Sequence, residues 1–509
     1  MLILLLALIL APTWAQGQVP GLDLSSAADA PASRPATPLP TIVIPVATTA
    51  GVPAQSCDEA LAEAAELRKT RPVPPVRAEP VRPPVAWPSR PQKPEDDGVT
   101  GRPRISVTRS TLAASTLPGQ DPASLPLQPL EGRPEDLAVI GDVLRKAASG
   151  QPTRITVFGA SHTGGDMWTG RLRRILQDRY GDRGHGFIMP AALYAGDRGQ
   201  DVNLCRTDGW TSDWVGRNGG RDDGLYGFGA SVSSSDPADF GWIQTTTDNP
   251  QGRAVSRYQV FTLGEPQGGT LLAQVDDAPV EEIVNSSPDV QILRHRIEVP
   301  DGPHRLSLRP MGNGEVRIFG VSAERDVPGV IVDAIGIRGR TARTWLRWDT
   351  ELSERAIASL APDMIVLAYG TNEGNDLALS MDDYRTDLRG VLDIARRAAP
   401  GAACVLVGPS DRGKKVGRDS YVIWDRTAAI AQVQREVAPE FGCASWDWQQ
   451  VSGGPGSQIA WSLLRPAMAA SDLIHFTQPG YEFGADRFLM ALEKAAVDSG
   501  GLPGPHLLP

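Results

Sequence analysis

Three side chains could together activate a serine, although they lie far apart in the chain. Ser161 stands in the stretch ITVFGASHTGG, where β-branched residues give way to glycines. Asp472 and His475 stand three residues apart in DLIHF. A histidine that takes the serine proton, oriented by a carboxylate at its second ring nitrogen, activates a serine for acyl transfer. The sequence therefore predicts a catalytic triad of Ser161, His475 and Asp472.

The tetrahedral intermediate of acyl transfer also needs hydrogen-bond donors for its oxyanion. Two further stretches could supply them: GIRGRT, which contains Gly339, and YGTNE, which contains Asn372. Gly339 leaves room for a substrate because glycine has no side chain. We expect the oxyanion hole to consist of the backbone N–H groups of Ser161 and Gly339 and the side-chain amide of Asn372.

Each of these residues, taken alone, also has a purely structural interpretation. A serine that precedes a helix commonly caps it, and a glycine or asparagine after a strand commonly forms a turn. The catalytic interpretation is favoured because all four stretches follow predicted strands of one sheet. In open α/β sheets, ligands bind at the carboxyl ends of the strands.

The elements that must position these residues form two blocks of alternating strands and helices. The first block, 131–196, contains a helix at 134–150, a strand at 155–159 and a helix at 167–180. The second block, 324–498, contains buried strands such as PDMIVLAY and CVLVGP and a closing helix after TQPG. Such repetition predicts one parallel, doubly wound sheet that the segment between the blocks interrupts.

The interrupting segment, 197–323, has a different pattern of short strands separated by glycine or proline turns. This pattern predicts an inserted antiparallel β-sandwich. Its aromatic side chains could stack on sugar rings or fill the core of the sandwich. These side chains are Trp210, Trp214, Tyr226 and Trp242.

The ends of the chain differ in composition from the rest. Residues 1–16 are typical of a secretory signal peptide. Residues 17–130 are rich in proline and alanine and predict a largely disordered linker with a helical island at 56–69, either a tether or a segment without a role. Residues 499–509 predict a flexible tail. We therefore expect a periplasmic or secreted protein with no integral membrane segment after signal removal.

Charge and cysteine content exclude some classes of function. A formal net charge of −10 argues against nucleic acid as a partner. The four cysteines form no CxxC pair, so a zinc site is not expected. An oxidising compartment would allow one or two disulfides, with Cys404 and Cys443 as the preferred pair and reduced core cysteines as the alternative. The reaction predicted for Ser161 requires no cofactor and no metal.

The motifs, in this order, resemble the sequence blocks of the SGNH (GDSL) hydrolase superfamily. The first, second, third and fifth blocks correspond to GASHT (159–163), GIRG (336–339), GTNE (370–373) and DLIH (472–475). The resemblance covers 131–197 and 324–497. It implies a flavodoxin-like three-layer α/β/α sheet, metal-free ester hydrolysis and an acyl-enzyme intermediate.

The first block departs from the family pattern, because Ala160 stands where the family has an aspartate before its serine. That aspartate is generally neither the nucleophile nor its base. The departure removes a polar group beside Ser161 and makes catalytic efficiency a question for experiment.

Longer stretches narrow the resemblance to the peptidoglycan O-acetylesterases. These stretches are GASHTGGDMWTGRLRRILQDRYGDRGHGF and SWDWQQVSGGPGSQIAW before DLIHFTQPGY. Such enzymes remove acetyl groups from the C6 hydroxyl of N-acetylmuramic acid, and some carry a carbohydrate-module-like β domain after the first block. The resemblance implies a serine esterase that acts on an acetylated cell-wall glycan, most plausibly peptidoglycan.

Several alternatives stay open at this point. An O-acetyltransferase would use the same triad with a sugar hydroxyl as acceptor. A deacetylase of plant or capsular polysaccharide and a lipase-like esterase are further enzymes of this type. A non-catalytic glycan-binding scaffold is the alternative from a different class. Among further side chains, His162 and Trp461 are candidates for substrate binding, with packing against the sheet as the other interpretation of His162.

Overall fold

The computed structural model describes residues 39–46, 52–70, 105–108, 121–194, 199–218, 220–221, 223–418 and 420–500. The predicted signal peptide at 1–16, much of the predicted linker and nearly all of the predicted tail lie outside these residues. Within the described ranges, no helix is both long enough and apolar enough to cross a membrane.

Twenty strands and ten α-helices make up the regular structure of the described residues. In chain order the strands are β1 (Thr41–Pro45), β2 (Ile105–Thr108), β3 (Thr153–Gly159), β4 (Gly186–Ile188), β5 (Asn203–Arg206), β6 (Thr211–Trp214), β7 (Ala230–Ser234), β8 (Gly241–Gln244), β9 (Val255–Gly264), β10 (Thr270–Val275), β11 (Glu281–Val284), β12 (Gln291–Gly302), β13 (Arg305–Pro310), β14 (Val316–Glu324), β15 (Val330–Gly336), β16 (Met364–Ala368), β17 (Ala403–Val407), β18 (Gly413–Lys415), β19 (Ser420–Ile423) and β20 (Ala444–Trp446). The helices are α1 (Cys57–Thr70), α2 (Pro134–Ala148), α3 (Ser161–Gly164), α4 (Met167–Tyr180), α5 (Thr350–Leu360), α6 (Met381–Ala398), α7 (Arg426–Val437), α8 (Trp448–Val451), α9 (Ser457–Leu463) and α10 (Gln478–Asp498). Short 3-10 helices cover Pro122–Ser124, Ala342–Arg347, Glu373–Asn375 and Ala438–Phe441.

The central sheet has five parallel strands in the order β15-β3-β16-β17-β20. Numbered along the chain, this is the 2-1-3-4-5 order of flavodoxin-like sheets, so the predicted α/β fold class is confirmed. Every residue of β3 is buried. The order reverses between β3 and β16, and this is the point at which such sheets bind ligands.

Helices cover both faces of the central sheet. Val157 of β3 packs with residues of α2, α4 and α10 in one apolar cluster. Phe158, the next residue, packs with residues of α5, α6 and α7 in a second cluster. The two clusters lie on opposite faces because successive side chains of a strand alternate. The result is the three-layer α/β/α arrangement.

The inserted β unit consists of two sheets that share one apolar core. One sheet has the order β1-β12-β9-β14-β7-β6, with β4 also paired to β14, and the other has the order β11-β10-β13-β8-β5. Val260 and Ile318 of the first sheet and Leu271 and Leu308 of the second lie in the same cluster. Two sheets packed through their inner faces form a sandwich.

The predicted boundaries of the insertion need two corrections. The strand β4 precedes the predicted start at 197 yet pairs with β14 of the sandwich. At the other edge, β1 joins the same sheet and runs parallel to β12, so the sandwich is not purely antiparallel. Both strands were missed because three to five residues carry too little pattern to predict a strand on their own.

The prediction of a largely disordered linker at 17–130 is wrong for the strands β1 and β2, whereas the helical island predicted at 56–69 is present as α1 (Cys57–Thr70). The strand β1 pairs with β12, and β2 pairs with β19. A disulfide joins Cys57 of α1 to Cys205 of β5. Within 17–120, the described residues are 39–46, 52–70 and 105–108. These segments gain order from partners elsewhere in the chain, which local composition does not reveal.

The second disulfide confirms the pairing preferred from the sequence. Cys404 and Cys443 are bonded, with their Cα atoms 4.5 Å apart. Cys404 lies in β17, and Cys443 precedes the neighbouring strand β20. The bond therefore connects two adjacent strands of the central sheet.

Arg154 of β3 forms a buried polar link between the central sheet and the insertion. Its guanidinium donates to Asp333 of β15 at 2.8 and 2.9 Å and to Glu324 of β14 at 2.7 Å. It also donates to the Ser322 hydroxyl at 2.8 Å. All four side chains are buried. Burial disfavours the charged form of Glu324, but Arg154 outweighs this effect and holds the pKa of the carboxyl below its ordinary value.

We expect Arg154→Leu to lower the free energy of unfolding by about 3–5 kcal/mol at neutral pH, because it leaves buried carboxylates without their partner. The lowered pKa of Glu324 means that its pairing stabilises the fold above the ordinary pKa of 4.5 and ceases to do so as the pH falls. The deficit of Arg154→Leu should therefore shrink in acid. Denaturant unfolding at several pH values measures it.

Arg389→Leu is the matched control, because Arg389 pairs with Glu440 on the surface and such pairs contribute little. Equal effects of the two substitutions, or a deficit for Arg154→Leu that does not change with pH, would contradict the assigned role of Arg154.

Candidate active site

Close approach of glycine backbones fixes the position of Ser161. The helix α3 begins at Ser161, two residues after β3 ends at Gly159. A Cβ on Gly159 would lie 2.2 Å from the Thr163 hydroxyl, and a Cβ on Gly336 would lie 2.0 Å from the Gly164 nitrogen. Only glycines allow α3 to rest directly on the ends of β3 and β15. Ser161 is consequently held, half-exposed, at the carboxyl edge of the sheet.

The structure brings the three predicted triad residues together. The His475 Nε2 atom lies 2.8 Å from the Ser161 Oγ atom. The His475 Nδ1 atom lies 2.7 Å from an oxygen of Asp472. A carboxylate at Nδ1 places the ring proton there and leaves Nε2 to accept the serine proton. These contacts join residues that are 314 positions apart in the chain.

A tight turn presents the Asp472 and His475 side chains. The second Asp472 oxygen accepts the N–H groups of Ile474 and His475, each at 3.0 Å. Leu473 has a φ of 58° and a buried side chain that anchors the turn. Burial opposes ionisation of Asp472, but the hydrogen bonds from His475 and from the turn outweigh it and hold its pKa below the ordinary value. Asp472 is therefore a carboxylate at neutral pH.

The two predicted oxyanion-hole loops are in contact with each other. Gly339 has a φ of 73°, and no atom lies within 4 Å of where its Cβ would be. The left-handed backbone, rather than crowding inside the protein, is thus what requires glycine here. The Asn372 amide donates to the carbonyl of Arg340 at 2.8 Å. Because this amide has two N–H groups, one remains for an oxyanion.

Glu373 holds the same two loops and was not assigned a role from the sequence. Its carboxyl oxygens accept the Ala342 N–H at 2.7 Å and the Gly370 N–H at 3.0 Å. Burial raises the pKa of Glu373 to about 7, although these N–H groups oppose the shift. Its place in GTNE, directly after Asn372, is the signal that could have identified it. Glu373 fixes the loop of Asn372 against the chain that follows Gly339.

A second buried carboxyl that the sequence analysis missed supports the triad turn. Asp411 follows β17 at the same edge of the sheet and accepts the N–H groups of Gly456 at 2.9 Å and Gln458 at 3.1 Å. Burial raises its pKa to about 6. Two residues later, the Gly413 N–H donates to the Leu473 carbonyl at 3.0 Å. The segment after β17 therefore braces the turn that carries His475.

His162, a candidate for substrate contact, is instead packed inside the protein, which is the other interpretation that the sequence allowed. Its ring is 6% exposed, with Nδ1 2.9 Å from the Tyr481 hydroxyl and Nε2 3.2 Å from the Ser410 hydroxyl. Burial, followed by the charge that His475 carries only when protonated, lowers its pKa to about 3. The ring lies 5.1 Å from that of His475. His162 is thus a neutral side chain packed behind the catalytic histidine.

The predicted sugar contact of Trp461 is wrong, because this side chain is completely buried. Its ring packs against Phe476 at 5.5 Å and Phe483 at 5.3 Å between centroids. Trp446 and Trp448 lie in the same apolar cluster. A tryptophan beside a glycine-rich loop can either pack in the core or face a substrate, and the sequence alone does not distinguish the two. Here the gain from burying a large apolar ring places Trp461 in the core.

The alanine that replaces the family's aspartate lies in an apolar environment. Ala160 is 5% exposed and belongs to the same cluster as Phe158. The hydrogen bonds from Ser161 to His475 and from His475 to Asp472 are present beside it. The structure thus arranges the triad without an aspartate at this position.

Residues 313–483 match the model of the GDSL-like Lipase/Acylhydrolase family. Gly339, Asn372, Asp472 and His475 lie inside the matched segment. Ser161 lies before it, because the insertion separates the first block from the others. No curated protein is similar enough to this chain to count as a match.

Among solved structures, the chain is similar to a peptidoglycan O-acetylesterase, with 23% identity and a TM-score of 0.61. The similarity covers 73% of this chain and 100% of that chain. A family two carbohydrate esterase from Cellvibrio japonicus is matched with 12% identity and a TM-score of 0.24, over 58% of this chain and 98% of that chain. An acetyl xylan esterase is matched with 19% identity and a TM-score of 0.24, over 31% of this chain and 79% of that chain.

The matched segment, the flavodoxin-like sheet and the meeting of the family's motif residues at one edge of it are consistent with one another. Residues 313–483 thus match a GDSL-like lipase/acylhydrolase domain, the chain resembles a peptidoglycan O-acetylesterase in fold, and together these findings support a carboxylic ester hydrolase.

Proposed function

We propose that this protein is a serine esterase that removes O-acetyl groups from a cell-wall glycan, namely the C6 acetyl groups of N-acetylmuramic acid in peptidoglycan. The hydrogen-bonded chain of Ser161, His475 and Asp472 is the observation that carries the proposal. The fold similarity to the whole length of a peptidoglycan O-acetylesterase supports the choice of substrate.

In the acylation step, the Ser161 Oγ attacks the acetyl carbonyl while His475 Nε2 takes the hydroxyl proton. Asp472 stabilises the imidazolium that forms. The carbonyl oxygen becomes an oxyanion, for which the donors are the N–H groups of Ser161 and Gly339 and the second amide N–H of Asn372. Each such donor commonly lowers the barrier by about 3 kcal/mol.

The tetrahedral intermediate collapses when His475 gives its proton to the sugar O6 and the C–O bond breaks. The deacetylated sugar leaves, and the acetyl group stays on Ser161. A water molecule then attacks the acetyl carbonyl while His475 takes one of its protons. Collapse returns a proton to Ser161 and releases acetic acid. Water can approach because the His475 and Asp472 side chains are 35% and 48% exposed.

We infer that the protein acts outside the cytoplasm, in the periplasm or after secretion. The two disulfides support this location, because they persist in oxidising compartments. The proposed substrate lies in the same place. The apolar stretch at 1–16 is consistent with export.

Replacing Ser161 by alanine tests the proposed reaction. We expect Ser161→Ala to reduce acetate release from O-acetylated peptidoglycan by at least about 10⁴-fold, because no other group forms the acetyl-enzyme. A fluorophosphonate probe should label the wild type and not the variant. Ser359→Ala, which removes a half-buried hydroxyl bonded only within its own helix, is the matched control.

Other outcomes would each contradict one part of the proposal. If the wild type cleaves 4-nitrophenyl acetate and releases no acetate from peptidoglycan, the substrate is wrong. If the acetyl group moves to an added sugar instead of water, the protein is an acetyltransferase. If the probe labels nothing and both esters persist, the scaffold alternative is correct.

Asn372 and Glu373 should act as one unit in the oxyanion hole. We expect Asn372→Ala to lower kcat for 4-nitrophenyl acetate by about 10²–10³-fold with little change in KM. Glu373→Gln should lower kcat by roughly 10-fold, because an amide NH₂ cannot accept a backbone N–H where a carboxylate oxygen did. The double variant should lose no more than Asn372→Ala, since Glu373 works by holding the loop of Asn372.

Glu351→Gln, in which the carboxyl is 86% exposed on α5, is the control for the loss of a negative charge. Independent, multiplicative losses in the double variant would show that Glu373 supports catalysis by a route other than Asn372. A rise in KM with kcat intact would show that Asn372 binds the ground state.

A further inference from the structure

Positive charges are concentrated in the hairpin that begins beside the triad. Arg412, Lys414, Lys415 and Arg418 fall within seven residues of a chain whose formal net charge is −10. Lys414, Lys415 and Arg418 are exposed, whereas Arg412 at the base of the hairpin is half-buried. The proposed reaction uses none of these side chains.

The backbone places Arg412 between the two halves of the active site. Its neighbour Gly413 donates to the Leu473 carbonyl at 3.0 Å, in the turn that carries Asp472 and His475. The Arg412 Nη1 atom lies 3.5 Å from the carbonyl of Thr371, the residue before Asn372. The segment Arg412–Gly413 therefore contacts both the oxyanion loop, through the guanidinium, and the triad turn, through its backbone.

Among the described residues, no ion pair neutralises the charge of Arg412. The buried Arg154, by contrast, pairs with Glu324 at 2.7 Å and with Asp333 at 2.8 Å. Burial lowers the pKa of Arg412, and the negative charge of Asp472 opposes this shift. Asp472 already binds His475, so it is not a free partner. A half-buried guanidinium with remaining N–H donors, in contact with the loop that carries Asn372, is suited to an anionic group of the substrate.

We propose that Arg412 is a specificity-determining residue that binds a carboxylate on the glycan that carries the acetyl ester. This inference rests on the proposed function and extends it to substrate choice. N-acetylmuramic acid has a lactyl carboxylate on O3, which is free when the sugar has no stem peptide. A stem peptide replaces it by an amide and brings carboxylates of its own. The exposed lysines of the hairpin add long-range attraction for either form.

Competition against a neutral reporter ester tests this assignment. The reporter is 4-nitrophenyl acetate, and the competitors are N-acetylmuramic acid, its methyl ester and N-acetylmuramoyl dipeptide. We expect the free acid to inhibit the wild type with a Ki at least about 10-fold lower than that of the methyl ester, because only the acid offers a charged acceptor. In Arg412→Gln the ratio of the two Ki values should fall to about 1.

Arg412→Lys should keep part of the ratio, since lysine retains the charge and loses the two-pronged geometry. Lys494→Gln is the control: this exposed lysine lies 16 residues along α10, roughly 24 Å from the start of the helix. If the dipeptide competes better than the free acid and Arg412→Gln abolishes that advantage, the carboxylate that Arg412 binds belongs to the stem peptide.

Equal Ki values for acid and methyl ester in the wild type, with no better inhibition by the dipeptide, would overturn the proposal. So would an unchanged ratio in Arg412→Gln accompanied by a lower kcat for the reporter, because Arg412 would then only hold the Thr371 loop. The Ki ratio is measured with an aryl ester and requires no turnover of peptidoglycan. Failure of the proposed function, seen as absent acetate release from peptidoglycan, is thus distinguishable from failure of this inference.

Discussion

The active site depends on one close contact between backbones. The helix that begins at Ser161 rests on the ends of β3 and β15, where a Cβ on Gly336 would lie 2.0 Å from the Gly164 nitrogen. This contact points the serine out of the carboxyl edge of the sheet. A turn near the other end of the chain can then reach it, and His475 lies 2.8 Å from the serine oxygen. Any side chain at Gly336 would displace α3, so the nucleophile and its base would no longer meet. The geometry of the active site therefore depends on a few glycines, at positions where a side chain would not fit.

The insertion separates the serine from the other motif residues along the chain, yet buried charge couples it to the nucleophile strand. Arg154 of β3 binds Asp333 of the central sheet and Glu324 of the sandwich at the same time. Burying one cation with two anions is favourable only while every group keeps its partners. The sandwich is consequently held at a defined position relative to the strand that leads to Ser161.

Site residues that follow strands could be predicted from the sequence. Features that depend on contacts between distant parts of the chain could not. Ser161 and Asn372 follow the buried strands β3 and β16, so their convergence follows from the topology of a parallel sheet. The expectation that DLIHF ends a strand was wrong, because the Asp472–His475 turn follows the helix α9. The strands β1 and β4 were missed because their stability comes from pairing with β12 and β14 rather than from their own pattern. His162 was a candidate for the pocket because it follows Ser161 in sequence, with packing as the other interpretation. Its burial depends on side chains such as Tyr481, 319 residues later, which no local pattern reveals.

Two buried carboxyls show how stability is balanced against precision at this site. Burial raises the pKa of Glu373 to about 7 and that of Asp411 to about 6, which means that the charged forms cost stability where they lie. An apolar side chain of similar size would avoid this cost. It could not accept the backbone N–H groups of Ala342 and Gly370, or those of Gly456 and Gln458. Loops at the carboxyl edge of a sheet lack ladder partners for such groups. The carboxyls supply those partners from within, so the loops that carry Asn372 and His475 are fixed before any substrate arrives.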